Sequence, residues 1–172
     1  MNMTGTDFFK LEPEQPDDGP AIETLLDLAF GVDRFEKSSY RLRENRAPIS
    51  GLGLVLRRGE EVMGTIRFWQ VSAGADHPAL LLGPLAMHPD YQGVGGGQRL
   101  MREGLALAVS QGHELVFLVG DLPYYRKAGF RQVPPGQVRM PVPYDPARLL
   151  YQELRPGAFE GVSGLIQVPA TG

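Results

Sequence analysis

Cysteine is absent from this chain. That excludes a disulfide framework, thiolate metal sites and a cysteine nucleophile. Long apolar runs are also missing. None approaches the roughly 18 residues a membrane span needs, so no membrane partner is expected. Residues 1–10 lack the basic-then-apolar pattern of a secretion signal, and the expected location is cytoplasmic. Positive charge is not in excess: 17 Lys and Arg against 20 Asp and Glu leave a formal net charge of −3 and a pI near 5.6. With no basic stripe, nucleic acid is not an expected partner. Histidine is scarce, three scattered residues, and no metal site is expected. Glycine and proline are plentiful, 22 and 15 residues, and dispersed, which predicts many turns within a folded chain. A length of 172 residues with 42% apolar content suits one domain over 1–172, with 1–17 partly loop and 169–172 a tail.

The local patterns alternate between strand and helix. A short first strand is expected near Phe8 to Leu11. Asp18 reads as a helix cap with Pro20 in the first turn, followed by Ile22, Leu25, Leu26 and Ala29 at helical spacing. A second short helix is expected over 35–45. Residues 52–56 and 62–71 read as strands joined by a turn at 57–60, and 72–78 as a loop. The continuous apolar runs 79–87 and 115–119 suit strands buried on both faces, and a helix over 100–110 lies between them. This strand–helix–strand spacing predicts a parallel pair. Gly104, on the apolar helix face, would allow close packing against the sheet, and Gln111-Gly112 ends the helix. Gly83-Pro84 falls inside the first of the two runs. Proline has no N–H to give a ladder, so a bulge or an interruption of pairing is expected there. Asp121 can cap a short helix through 124–127, and strands are expected at 130–133, 149–154 and 165–168.

The segment Gln92-Gly93-Val94-Gly95-Gly96-Gly97-Gln98 joins strand 79–87 to the next helix. A glycine-rich turn there makes a cradle of backbone N–H groups, and the helix dipole adds partial positive charge, so a phosphate or pyrophosphate is favoured. A Walker A loop is excluded because neither Lys nor Ser/Thr follows the glycines. The dinucleotide fingerprint is excluded because Gly93-x-Gly95 runs on to Gln98, and Gly95-x-Gly97 to Leu100, where a third glycine is required. What fits is Gln-x-x-Gly-x-Gly, from Gln92, Gly95 and Gly97.

Residues 82–89 (Leu-Gly-Pro-Leu-Ala-Met-His-Pro) with 91–97 resemble the acetyl-CoA loop of the GCN5-related N-acetyltransferase (GNAT) superfamily. Tyr125-Arg126-Lys127-Ala128-Gly129-Phe130 is similar to that superfamily's second signature, at matching spacing. The tail from Leu154 to Gly164 resembles a bacterial subgroup of predicted acetyltransferases, so the resemblance covers about residues 20–168. It implies an α/β fold: a mixed, mostly antiparallel sheet, splayed at the parallel strand pair, with helices on both faces. It implies acetyl-CoA as cosubstrate, with its pyrophosphate on the N–H groups of Gln92, Gly93, Val94, Gly95, Gly96, Gly97 and Gln98. Its pantetheine arm would run along Leu85, Ala86 and Met87, one of whose N–H groups could hold the developing oxyanion. Tyr125 matches the general acid that gives a proton to the departing thiolate, and Tyr124 becomes a cofactor-side residue. Asp121 stands where many members carry Asn.

The general base is not marked, since 79–87 carries no ionisable side chain where some relatives have glutamate. Glu36, His77, His88, Glu153 and a water chain are the candidates. Arg99, Arg102 and Arg126 are candidates for the 3′-phosphate of coenzyme A, and Phe68 and Trp69 for an acceptor pocket or the core. The expected activity is direct transfer of acetyl to a primary amine in a ternary complex, with no acyl-enzyme. The acidic balance leans towards small cationic amines, handled by a monomer or homodimer. Transfer of a longer acyl chain, a non-catalytic acyl-CoA sensor and a glycine-turn scaffold without cofactor are the alternatives.

Overall fold

A computed structural model describes residues 9–31, 42–44 and 46–169. The strands β1 (Lys10–Pro13), β2 (Leu54–Arg58), β3 (Glu61–Ala73) and β4 (His77–Met87) form an antiparallel meander. Helix α2 (Gly96–Ser110) then crosses to β5 (Leu115–Val119), which lies parallel to β4. After helix α3 (Leu122–Arg126) come β6 (Arg131–Gln132), β7 (Val138–Arg139), β8 (Leu149–Glu153) and β9 (Gly164–Gln167). The sheet order is β1-β2-β3-β4-β5-β8-β6, with β9 pairing the far end of β3 and also β7. Among the described residues only β4–β5 and β7–β9 pair in parallel. The expected mixed, mostly antiparallel sheet is therefore present.

Alternation along the strands sets the two faces. Ile66, Phe68, Leu80, Leu82, Val116 and Leu118 face α2 and pack with its Leu100, Met101, Leu105 and Ala108. A Cβ on Gly104 would lie 3.0 Å from Phe68 Cε2 and 3.4 Å from Ile66 Cδ1, so the helix sits as close as the sequence pattern suggested. Val55, Val62 and Ala86 point the other way, onto Ile22, Leu25 and Leu26 of the first helix, α1 (Gly19–Phe30). On that same side, Trp69, Val71, Leu81 and Phe117 form a third cluster with Phe159 and Val162 from the tail. Helices thus cover both faces.

Several boundaries differ from the sequence expectation. Strand β1 starts at Lys10, and Phe8 lies outside the described residues, as does most of the expected helix over 35–45. The loop expected at 72–78 shrinks to a tight turn because β3 runs to Ala73 and β4 starts at His77. The strand expected at 130–133 keeps only Arg131–Gln132. The proline-rich stretch 134–146, which reads as loop in the sequence, carries β7, which pairs with β9. Helix α2 begins at Gly96, four residues before its apolar periodicity starts, so Gly96 and Gly97 are its first turn rather than loop.

Asp18 does precede α1, but its side chain caps nothing there. Its carboxylate binds Arg57 Nη2 at 2.6 and 2.8 Å and accepts the Gln15 N–H at 2.7 Å. Arg57 also donates to Glu12 at 2.6 Å. On the same side Arg67, 9% exposed, donates twice to Glu14, at 2.9 and 3.1 Å. A guanidinium engaged by carboxylates outcompetes a single N–H, because a buried cation left unpaired is costly. These bonds tie the segment leading into α1 to β2 and β3, and so fix where Phe30, at the other end of α1, reaches the site.

Candidate active site

The bulge expected at Gly83-Pro84 is present. Ile66 of β3 pairs with Leu85, and Phe68 with Leu82, so three steps of β4 oppose two of β3. The Gly83 carbonyl displaced by the bulge accepts the Trp69 indole N–H at 2.5 Å. Trp69 and Phe68 are both buried, on opposite faces. They are core residues, and Trp69 satisfies the bulge. The parallel pairing of β4 with β5 is limited to Leu80–Val116 and Leu81–Phe117. Beyond Leu81 the two strands part, leaving the backbone edge of β4 without a strand partner on that side among the described residues.

Two cavities fill this opening. One, of about 430 Å³, is lined by Leu85, Ala86, Met87, Gln92, Gly93, Gly95, Gly96, Gly97, Gln98 and Tyr124, every cofactor-side residue read from the sequence except Val94. Val94 packs instead against the main core. The other, of about 520 Å³, lies between the bulge, the end of β5 and the segment 143–148. Phe30, Leu85, Tyr124 and Tyr125 border both. The two are therefore halves of one groove that meet at Tyr125.

The glycine turn makes the floor of the first cavity. Gly95 caps α2 with φ 91°, a left-handed geometry that costs glycine nothing. The first bond of the helix runs from the Arg99 N–H to the Gly95 carbonyl at 3.0 Å. The N–H groups of Gly96, Gly97 and Gln98 therefore have no acceptor within the helix. A Cβ on Gly97 would collide with the Tyr124 hydroxyl, and the Gln98 side-chain amide donates to the Tyr124 carbonyl at 3.1 Å. Helix α3 is thus held directly over the first turn of α2.

Tyr125 stands at the junction. Its backbone N–H and that of Tyr124 both donate to the Asp121 carbonyl at 3.1 Å. Its ring meets Phe130 edge-on at 5.9 Å and Tyr124 at 5.0 Å. Gly120 lets the ring lie against the chain, since a Cβ there would overlap the ring. Burial, then the neighbouring Tyr124 and Asp121, push the phenol up to about 12, against a smaller opposing pull from Arg148. Burial also raises Tyr124. At neutral pH Tyr125 is a fully protonated donor.

Asp121 occupies the cap position of α3, but its carboxylate makes no capping bond and lies 3.5 Å from Arg148 Nη2. Among the described residues, the base candidates read from the sequence do not converge on the groove. His77 starts β4, seven residues from Pro84, or roughly 23 Å of strand. His88 accepts the Asp90 N–H at 3.1 Å and caps the turn 89–91. Glu153 accepts the Phe159 N–H at 2.9 Å. Glu36 lies outside the described residues. Arg99 donates to the Phe9 carbonyl at 3.0 Å, Arg102 lies 3.7 Å from Glu103, and Arg126 borders a separate surface hollow with Arg131.

Residues not singled out from the sequence also border the groove: Phe30, Arg43, Lys127, Tyr144, Asp145 and Arg148. Lys127 was within the second signature. Arg43 and the segment 143–148 carry no motif and reach the site only through the topology.

Residues 19–130 match the family model described as the acetyltransferase (GNAT) family. The chain belongs to the GNAT family. It is accordingly an acyltransferase enzyme by family. The uncharacterized N-acetyltransferase YhbS of Escherichia coli (strain K12) is 31% identical over 156 residues, covering 90% of this chain and 92% of YhbS. The E. coli YhbS crystal structure in complex with CoA superimposes with a TM-score of 0.81 at 30% identity, covering 93% of this chain and 89% of that one. A GNAT family acetyltransferase from Brucella melitensis in complex with acetyl-CoA gives a TM-score of 0.70 at 27% identity, covering 94% and 96%. No helix among the described residues is long and apolar enough to cross a membrane.

Proposed function

We propose that this GNAT chain moves the acetyl group of acetyl-CoA onto the nitrogen of a small primary amine, by direct attack within a ternary complex. The observation that carries this reading is the continuity of the groove: an anion cradle at one end, a protonated phenol in the middle and a second cavity beyond it. Acetyl-CoA fits these parts in length order. The pyrophosphate lies on the N–H groups of Gly96, Gly97 and Gln98, within reach of Lys127. The pantetheine arm takes the β4 edge at 85–87 that β5 leaves open. The thioester then arrives beside Tyr125. Binding of CoA by YhbS and of acetyl-CoA by the Brucella protein supports the same assignment.

The uncharged amine approaches from the second cavity and attacks the thioester carbonyl carbon. A C–N bond forms and the carbonyl oxygen becomes an oxyanion, held by a backbone N–H of the 85–87 edge. As the C–S bond breaks, the thiolate takes the Tyr125 proton, the nitrogen loses its own to water, and the Tyr125 phenolate regains a proton from that water. Products are the N-acetyl amine and coenzyme A. The enzyme acts as one cytoplasmic domain over 1–172, as monomer or homodimer. A thiol-release assay with acetyl-CoA and an amine panel, beside calorimetry with coenzyme A, tests this. Tyr125→Phe should lower kcat by about 10²- to 10⁴-fold with coenzyme A affinity retained. A wild-type chain that binds no coenzyme A at millimolar concentration refutes the assignment. Binding without turnover of any amine would indicate a sensor.

A further inference from the structure

Helix α3, which carries Tyr125, is only five residues long. A helix that short has few bonds of its own, and its last carbonyls need partners from outside. Past its end, Ala128 and Phe130 both donate their N–H groups to the Tyr125 carbonyl, at 3.0 and 3.3 Å. The Tyr124 carbonyl instead accepts the side-chain amide of Gln98, at 3.1 Å. That carbonyl belongs to the peptide unit whose N–H is Tyr125's own, so the bond holds the backbone on which the phenol is mounted. The two helix starts also touch: the Tyr124 hydroxyl lies where a Gly97 Cβ would stand. The Tyr124 ring in turn meets the Tyr125 ring edge-on at 5.0 Å.

Gln98 stands in the anion cradle as well. Its backbone N–H belongs to the first turn of α2, and it lines the same cavity as Tyr124 and Tyr125. One residue thus joins the anchor of the cofactor to the helix that carries the acid. We infer that Gln98 is a positioning residue for Tyr125, holding α3 so that the hydroxyl meets the thioester sulfur. This rests on the proposed acetyl transfer and adds to it a side chain that acts through Tyr125. A displacement on the order of 1 Å at a catalytic group costs about 10²-fold in rate. The Gln98 bond is single, neutral and at the surface, so its loss costs only part of that.

The test uses the full chain, acetyl-CoA and the amine of the thiol-release panel with the highest kcat/KM. Gln98→Met keeps the length of the stem and the helix propensity and removes the donor. At saturating acetyl-CoA, kcat should fall by about 10-fold. The coenzyme A Kd from calorimetry should change by less than about 3-fold, because the backbone N–H remains. Gln98→Leu should behave alike, and Gln98→Lys, which restores a donor, should recover part of the rate. In a Tyr125→Phe background the same Gln98→Met change should cost less than about 3-fold, which a merely structural role would not produce. Thermal melting by circular dichroism reports whether each variant is folded. A kcat within about 2-fold of wild type in the folded variants overturns the positioning role and leaves acetyl transfer standing. So does a loss confined to coenzyme A affinity, which would make Gln98 a cofactor contact alone, or an equal loss of kcat in the Tyr125→Phe background. A wild-type chain that binds no coenzyme A, or turns over no amine, overturns the proposed function and this role with it.

Discussion

Gly120→Ala probes the junction of the groove without touching the phenol. The new Cβ would overlap Tyr125 Cε2 and lie 3.0 Å from its Cδ2 and 3.1 Å from Leu118 Cδ1. Carbon atoms pack at about 3.5–4.0 Å, so the ring must retreat by on the order of 1 Å. Phe130 and Tyr124 hem it in edge-on, leaving the cavity as the direction of escape. Overpacking of this kind costs about 1–3 kcal/mol of stability. A 1 Å misplacement of a catalytic group costs about 10²-fold in rate, or about 2.7 kcal/mol of barrier. Thiol release at saturating acetyl-CoA should therefore show kcat down by about 10²-fold in Gly120→Ala. In a Tyr125→Phe background there is no hydroxyl left to displace, and the same substitution should cost less than about 3-fold. If Gly120→Ala keeps wild-type kcat, the position of the ring does not govern the chemistry. If it costs 10²-fold in both backgrounds, it acts through something other than the phenol.

Because the Tyr125 phenol is held up to about 12, kcat should show no alkaline loss from this group between pH 8 and 10, and a fall centred near the ordinary tyrosine value would contradict its assignment as proton donor. Gly95→Ala forces an L-residue to φ 91° and should cost about 1 kcal/mol or more of stability while weakening coenzyme A binding in calorimetry. Trp69→Phe removes the donor that satisfies the Gly83 carbonyl, and chemical denaturation should register about 1–3 kcal/mol for the orphaned group. Burial works to raise Asp18, but the Arg57 bonds and the Gln15 N–H outweigh it and hold the carboxyl below its ordinary 3.8. A depressed folded value means stability present above the unfolded value and lost as pH falls through the folded one. Asp18→Asn should therefore be less stable than wild type at pH 7, with the gap closing below about pH 4.

Much of this was legible from one dimension because it is local. A proline inside an apolar run cannot pair on both sides, and Pro84 duly sits in a bulge beyond which β5 no longer follows β4. Glycines between a strand and a helix expose N–H groups whatever surrounds them, so the cradle was readable. Where side chains had competing partners, pattern failed. Asp18 and Asp121 both precede helices, yet arginines from elsewhere hold their carboxylates. Trp69 and Phe68 gave no sign of which face each would take until the register was set. Arg43, Tyr144, Asp145 and Arg148 come from segments far apart in the chain, and only the sheet order brings them to one cavity.

The short β4–β5 ladder has a mechanical meaning. Two residue pairs join a meander of four strands to the β5-β8-β6 half of the sheet, although the main core runs beneath both. A pantetheine arm lying in the gap would span both halves as a removable rung. The cofactor would then be a structural member of the sheet as well as a reactant. Each turnover would load and unload that rung, so the rigidity of the acceptor cavity, whose walls come from both halves, would follow the cofactor's occupancy.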